Sequence, residues 1–402
     1  MKRNFRITFL RWIYQLFFVF LTLLSIPIYA TNKYAIHTGD WNDPSIWNPG
    51  GVPTISDSVI ISADISGNFI TVTITGTSTI DSCAGVFVGL DTSAMQSTLK
   101  ITTGSTLHVT GSVHIEGFLD FTGGQLIEVT GDWTINGGTF VKGSSGTVTF
   151  IGNGNQLIDP TDFYHCNVQS SGGSVTLNGP CTVSNQLSIL QGILDLGEYT
   201  FNRITTGKFS IADGATIKIG GTNSFPDFGS SNNNYSFGTN STTIYYGSTG
   251  SQTITPRDYG NLSLTGTNKT MGGGSNSTIK IFGDLTIGVG VTLAGSNSHT
   301  YELKKNWTNN GTYLPGGPNN KIVLNGTSDQ VVSTDSLSSL IINKSSGIAS
   351  ISKSIKLAVN LIDSSGVFDI SSFSVNRTNQ TSGGRISVGT NGTLKIGSTQ
   401  SF

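Results

Sequence analysis

The sequence predicts an all-β chain wound as a right-handed parallel β-helix, a solenoid built from repeated short strands. Three observations carry this. Runs of alternating apolar and polar residues follow one another from Thr71 to Phe150, as TVTIT, TLKIT, TLHVT, SVHIE, FLDFT, QLIEVT, DWTI and TVTF. That is the period of strands with one face buried. Three longer stretches are versions of one another: GTVTFIGNGNQLIDPTDFYHCNV from Gly146, STTIYYGSTGSQTITPRDYGNLSL from Ser241, and KIVLNGTSDQVVSTDSLSSLIIN from Lys321. Finally, the chain after Ala30 holds no convincing amphipathic helix. A unit that cannot bury its own apolar face stacks on its neighbours, with three strands and about 20–30 residues to a coil.

Composition agrees. Of 402 residues, 11% are charged and 52 are Gly, whereas 36% are apolar, enough to form a core. The polar surface is therefore mostly hydroxyl and amide, which suits Thr in the pleat and Asn or Gly at corners. A net charge of −1 argues against nucleic acid as a partner, and leaves the membrane a role only in export or in anchoring outside this chain.

In chain order, residues 1–30 read as a secretory signal peptide. Lys2, Arg3, Arg6 and Arg11 precede an apolar run from Trp12 to Ile28, and Ala30 ends it. Residues 31–70 hold GDWNDPSIWNPGGVPTISDSVIIS, in which two tryptophans flank a polar turn before an alternating strand. Trp41 and Trp47 are expected to plug the open end of the solenoid; the alternative is an exposed platform that binds sugar rings. Asp40, Asp43 and Asp57 lack the spacing of a calcium loop, so turn capping is their expected role and no cofactor is implied.

Residues 71–145 are further coils. Residues 146–402 hold the three copies, over about 146–226, 241–313 and 321–402. Gapless alignment brings Gln156, Gln252 and Gln330 together, then Phe163, Tyr259 and Leu337, then Val168, Leu264 and Ile342. GILDLGEYTFNR from Gly192 recurs as GVFDISSFSVNR from Gly366, and Phe402 falls where Phe225 stands in the earlier copy. The pattern stops within itself there, as in a fragment of a longer repeat protein. The Gly- and Asn-rich clusters at 219–234 and 272–277 read as loops leaving the stack.

Three cysteines are too few for a disulfide framework. Cys166 aligns with Leu262 and Leu340, and Cys181 with Ile279 and Ile355, so both are expected as small buried apolar residues. A Cys166–Cys181 bridge between neighbouring rungs is the alternative in an oxidising compartment.

For catalysis the best constellation is Glu116, Asp120 and Glu128 with His108 and His114, on consecutive strands that could line one exposed face. Polar residues on the outer face of a half-buried sheet explain it as well. Asp195 and Asp369 recur with Arg203 and Arg377 eight residues on, a repetition that fits a structural tie between coils. No nucleophile with a base, phosphate loop or zinc signature is present.

The motif of Trp41, Trp47, Gly51, Pro53, Asp57, Val59 and Ile61 resembles the start of secreted bacterial β-rich surface proteins and the eight-glycine extracellular domain. With the Thr/Gly/Asn-rich repeats, the chain is similar to adhesin-like surface proteins of Gram-negative bacteria, often exported by the type IX system. The resemblance implies a secreted or cell-surface, non-catalytic module that binds extracellular glycans or cell-surface proteins. The alternatives are a carbohydrate-active β-helix enzyme, a polysaccharide lyase or hydrolase, and a mechanical spacer.

Overall fold

The coil strands pair in parallel with counterparts one turn on, and the pairings line up as three ladders along a β-solenoid. The computed structural model describes residues 30–64, 67–76, 80–89, 96–273, 277–296, 298–378 and 384–397. Apart from Ala30, the expected export segment lies outside them, as does Phe402. Among the described residues the only helical pieces are two short 3-10 turns, Pro44–Ile46 and Asn232–Asn234. No helix there is long and apolar enough to cross a membrane.

The first ladder runs through Val59, Val86, Val113 and Trp133. The second runs through Leu107, Ile127, Val148, Cys166, Leu187 and Phe209. The third runs through Val72, Leu99, Leu119 and Phe140. Alternation explains the core: Thr71–Ile74, Ser58–Ile61 and Thr106–Val109 all place every second side chain inside. All six second-ladder residues named are at most 1% exposed. Each such side chain contributes roughly 1.5–3 kcal/mol against its exposed state. Inside the coils Trp133, Phe140, Phe163 and Phe201 form a chain of contacting rings, with centroids 5.0, 6.1 and 6.1 Å apart.

Trp41 and Trp47 are 0% and 2% exposed, buried at the start of the stack rather than open at its surface. Their rings meet edge to face at 5.3 Å, and Trp47 Nε1 donates to the Trp41 carbonyl at 2.9 Å. The Trp47–Asn48 strand runs antiparallel to Asn32–Ala35, unlike the parallel pairings of the coils. Asp43 caps the first 3-10 turn through Ser45 N at 2.9 Å. Asp57 accepts from the Thr31 and Thr54 amides. Burial pushes its carboxyl up, but these bonds and those from the two hydroxyls outweigh it and hold the group below the usual range.

The aligned glutamines are one structural device. Gln156, Gln252 and Gln330 are fully buried. Each Oε1 accepts from the amide of the glycine opening its own turn, Gly152, Gly247 and Gly326, at 2.9, 3.1 and 2.9 Å. Each Nε2 donates back to the preceding coil, to Val129, Ile219 and Leu303 carbonyls among others. Gln156 and Gln330 lie on the first ladder, but Gln252 pairs with Lys269 on the third. The middle copy is therefore set one face round the solenoid.

The three cysteines are free buried thiols. The bridge between Cys166 and Cys181 is not formed, because on the next turn Cys166 pairs with Leu187 and Cys181 with Phe201. Burial pushes the Cys181 thiol up to about 12 and the Cys166 thiol well above its usual value, so both persist as thiols.

Candidate functional site

The acidic and histidine constellation does not assemble on one face. His108 and Glu128 are register partners on the second ladder, with Nδ1 and Oε2 3.0 Å apart. His114 lies on the first ladder, its Nε2 3.1 Å from Glu116 Oε1 and its Nδ1 2.7 Å from Thr134 Oγ1. Asp120 ends a strand of the third ladder and caps its own turn through Thr122 N at 3.0 Å. Glu116 also accepts from Asn136, and these bonds hold its carboxyl below the usual range, His114 supplying the largest effect. Strand alternation alone sets inside from outside; the turns between strands decide which ladder a residue joins, and here they separate the acids. Among the described residues no three His, Cys, Asp or Glu side chains group to hold a metal ion.

Of the recurring acids, Asp195 ties neighbouring coils through a lysine, and Asp369 stands opposite a lysine in register. Asp195 is the register partner of Lys218, with Oδ2 and Nζ 2.6 Å apart, and Asp369 is the register partner of Lys395. Each also caps the residue two ahead, Gly197 at 3.0 Å and Ser371 at 2.8 Å.

A surface pocket with charged lining lies where the second ladder breaks. Lys208–Ile211 pairs with Tyr235–Phe237, and the ladder resumes with Thr278–Ile281. Between them the chain at 257–259 makes only an isolated bridge, Tyr259 to Ile281. The gap is a pocket of about 270 Å³. Tyr235, Phe237 and Phe282 give it apolar walls, with Arg257 and Asp258 as its charged groups.

Arg257 is held firmly. Its guanidinium carbon lies 3.7 Å from the centre of the Tyr235 ring, and Nη2 donates to the Gly229 carbonyl at 3.1 Å. The Tyr235 hydroxyl is fixed in turn, accepting from Phe228 N at 2.7 Å and donating to the Gly229 carbonyl at 3.2 Å. Burial raises the Tyr235 phenol above its usual value. Gly229 has φ +87°, a backbone conformation that favours glycine. Asp258 Oδ1 accepts from Lys280 N at 2.9 Å. The Arg257 Nε–H is buried without a partner.

Reading 219–234 as loops leaving the stack misses this pocket. The visible signal is four aromatics, Phe225, Phe228, Tyr235 and Phe237, within a polar stretch. Their rings pack on Phe209 and on one another, so the segment folds back onto the solenoid.

Comparison of the chain with protein-family models, with curated proteins and with solved structures finds no match.

Proposed function

We propose that this chain is a secreted, cell-surface β-solenoid that binds extracellular glycans or partner surfaces without cleaving them. The observation that carries the reading is the pocket at the ladder break, where an arginine clamped on Tyr235 and the carboxylate of Asp258 stand between aromatic walls. A concave surface with aromatic walls and a few convergent polar groups is the usual form of a small-molecule site. The basic and apolar run at residues 1–30 and the motif of Trp41 and Trp47 support export. The non-catalytic part rests on the separation of Glu116, Asp120 and Glu128 onto different ladders, each already bonded within the fold.

The test is retention on immobilised neutral and acidic polysaccharides, with soluble sugar measured in the same samples. Retention without release is expected. Release abolished by Glu116→Gln or Asp120→Asn would replace the reading with a hydrolase or lyase.

A further inference from the structure

We infer that the pocket formed by Tyr235, Arg257, Asp258 and Phe282 is a subsite for one uncharged hexose unit. This deepens the glycan-binding reading and rests on it.

Size comes first. A volume of about 270 Å³ lies just below the usual range for small-molecule sites, which suits one pyranose ring and is too small for a dinucleotide or a folded peptide turn. Charge comes second. One guanidinium and one carboxylate line the pocket, so its formal charge is zero and neither an anionic nor a cationic ligand gains a net Coulombic advantage.

Hydroxyl groups, which both donate and accept, are what such a pair satisfies. Arg257 lines the pocket, and its bond to the Gly229 carbonyl uses one of the guanidinium's five N–H donors. The Asp258 carboxylate, with one oxygen engaged by Lys280 N, retains accepting capacity for sugar hydroxyls. The ring of Phe282 supplies a surface for the C–H face of a sugar.

The other copies serve as internal controls. Thr161 and Asp335 align with Arg257, and Asp162 and Ser336 with Asp258. In the first copy Thr161 accepts from Trp133 Nε1 at 3.1 Å and Asp162 is paired with Lys142, so those side chains serve the fold. Only the middle copy combines the rotated register, the ladder break and the Arg–Asp pair. The pair is thus not required by the repeat.

Calorimetric titration of the full chain with uncharged hexose oligosaccharides and with galacturonate oligomers tests this. At least one neutral oligosaccharide should bind with one-to-one stoichiometry. Arg257→Lys, which keeps the charge but lacks the planar guanidinium and its fork of donors, and Asp258→Asn should each weaken it by about tenfold or more. Phe282→Ala should weaken it by roughly threefold to tenfold, and Glu128→Gln on the same ladder should leave it unchanged. Circular dichroism confirms that each variant is folded. Tighter binding of galacturonate oligomers would overturn the neutral-sugar assignment. Neutral binding that all three pocket variants leave intact would overturn this site while sparing the glycan-binding reading. No saccharide binding by the wild-type chain would sink both.

Discussion

Lys344 donates from Nζ to Oε1 of Gln330 at 2.8 Å, with both side chains buried. The same ammonium reaches the carbonyls of Gly326 and Ser328 at 2.7 and 2.8 Å. In the middle copy Lys269 does the same work, bonding the Gly247 and Thr267 carbonyls at 3.0 and 2.9 Å. In the first copy Ser170, aligned with Lys344, bonds the equivalent Gly152 carbonyl at 2.8 Å. A turn that must leave and rejoin the stack exposes carbonyls toward the interior, and buried carbonyls need donors. Glutamine with lysine or serine supplies them.

Replacing Gln330 by Leu therefore leaves the Gly326 amide and the Leu303 and Lys305 carbonyls without their side-chain partner. The expected cost is roughly 2–4 kcal/mol. Denaturant unfolding gives the magnitude, and faster hydrogen exchange confined to the turn around Gly326 gives the location. Wild-type protection in that turn would contradict the role assigned to Gln330.

Burial holds the Lys269 ammonium down at about 8, against 10.5 for the free group. Its folded value lies below its unfolded one, so its contribution to stability is present above about pH 10.5 and is lost as pH falls through about 8. Wild-type stability should decline across that window relative to Lys269→Met. Parallel melting curves for the two proteins over the same range would refute it.

Asp363 stands inside the solenoid between Ile342 and Val388, where the first copy has Ile189. Burial raises its carboxyl above the usual value, against a smaller effect of the Thr393 amide. With the folded value raised, stability from this group is fully present below about pH 3.8 and is lost as pH rises through the folded value. Asp363→Ile should therefore stabilise the chain at neutral pH, by roughly 1–3 kcal/mol. A destabilised variant at neutral pH would mean that the carboxylate is needed as an ion.

Trp47→Ala should cost roughly 3–5 kcal/mol, because it empties a buried site against Trp41 at the end of the stack. Polysaccharide retention, measured well below the melting temperature of the variant, should match the wild type. Loss of retention by the folded variant would restore these tryptophans as a binding surface.

Strand positions and inward residues were legible because alternation is written directly in side chains. Phe163, Tyr259 and Leu337, aligned across the copies, are all fully buried. Ladder membership was not legible. Moving from His114 to Asp120 crosses a corner at Gly117, and a one-residue change in such a turn redirects every following strand. The rotation that carries Gln252 to the third ladder follows from the long segment 220–240 and cannot be read from alignment. The same holds for the pocket, since Arg257 and Tyr235 meet only because that segment folds back. The sequence shows two unremarkable residues in polar surroundings.

The central claim is retention without cleavage through the ladder-break pocket, and one co-sedimentation assay on insoluble neutral polysaccharide tests it. The pellet should retain the wild-type chain, lose Arg257→Lys, and leave no soluble sugar in either supernatant. Soluble sugar released by the wild-type chain, or equal retention of Arg257→Lys, would contradict it.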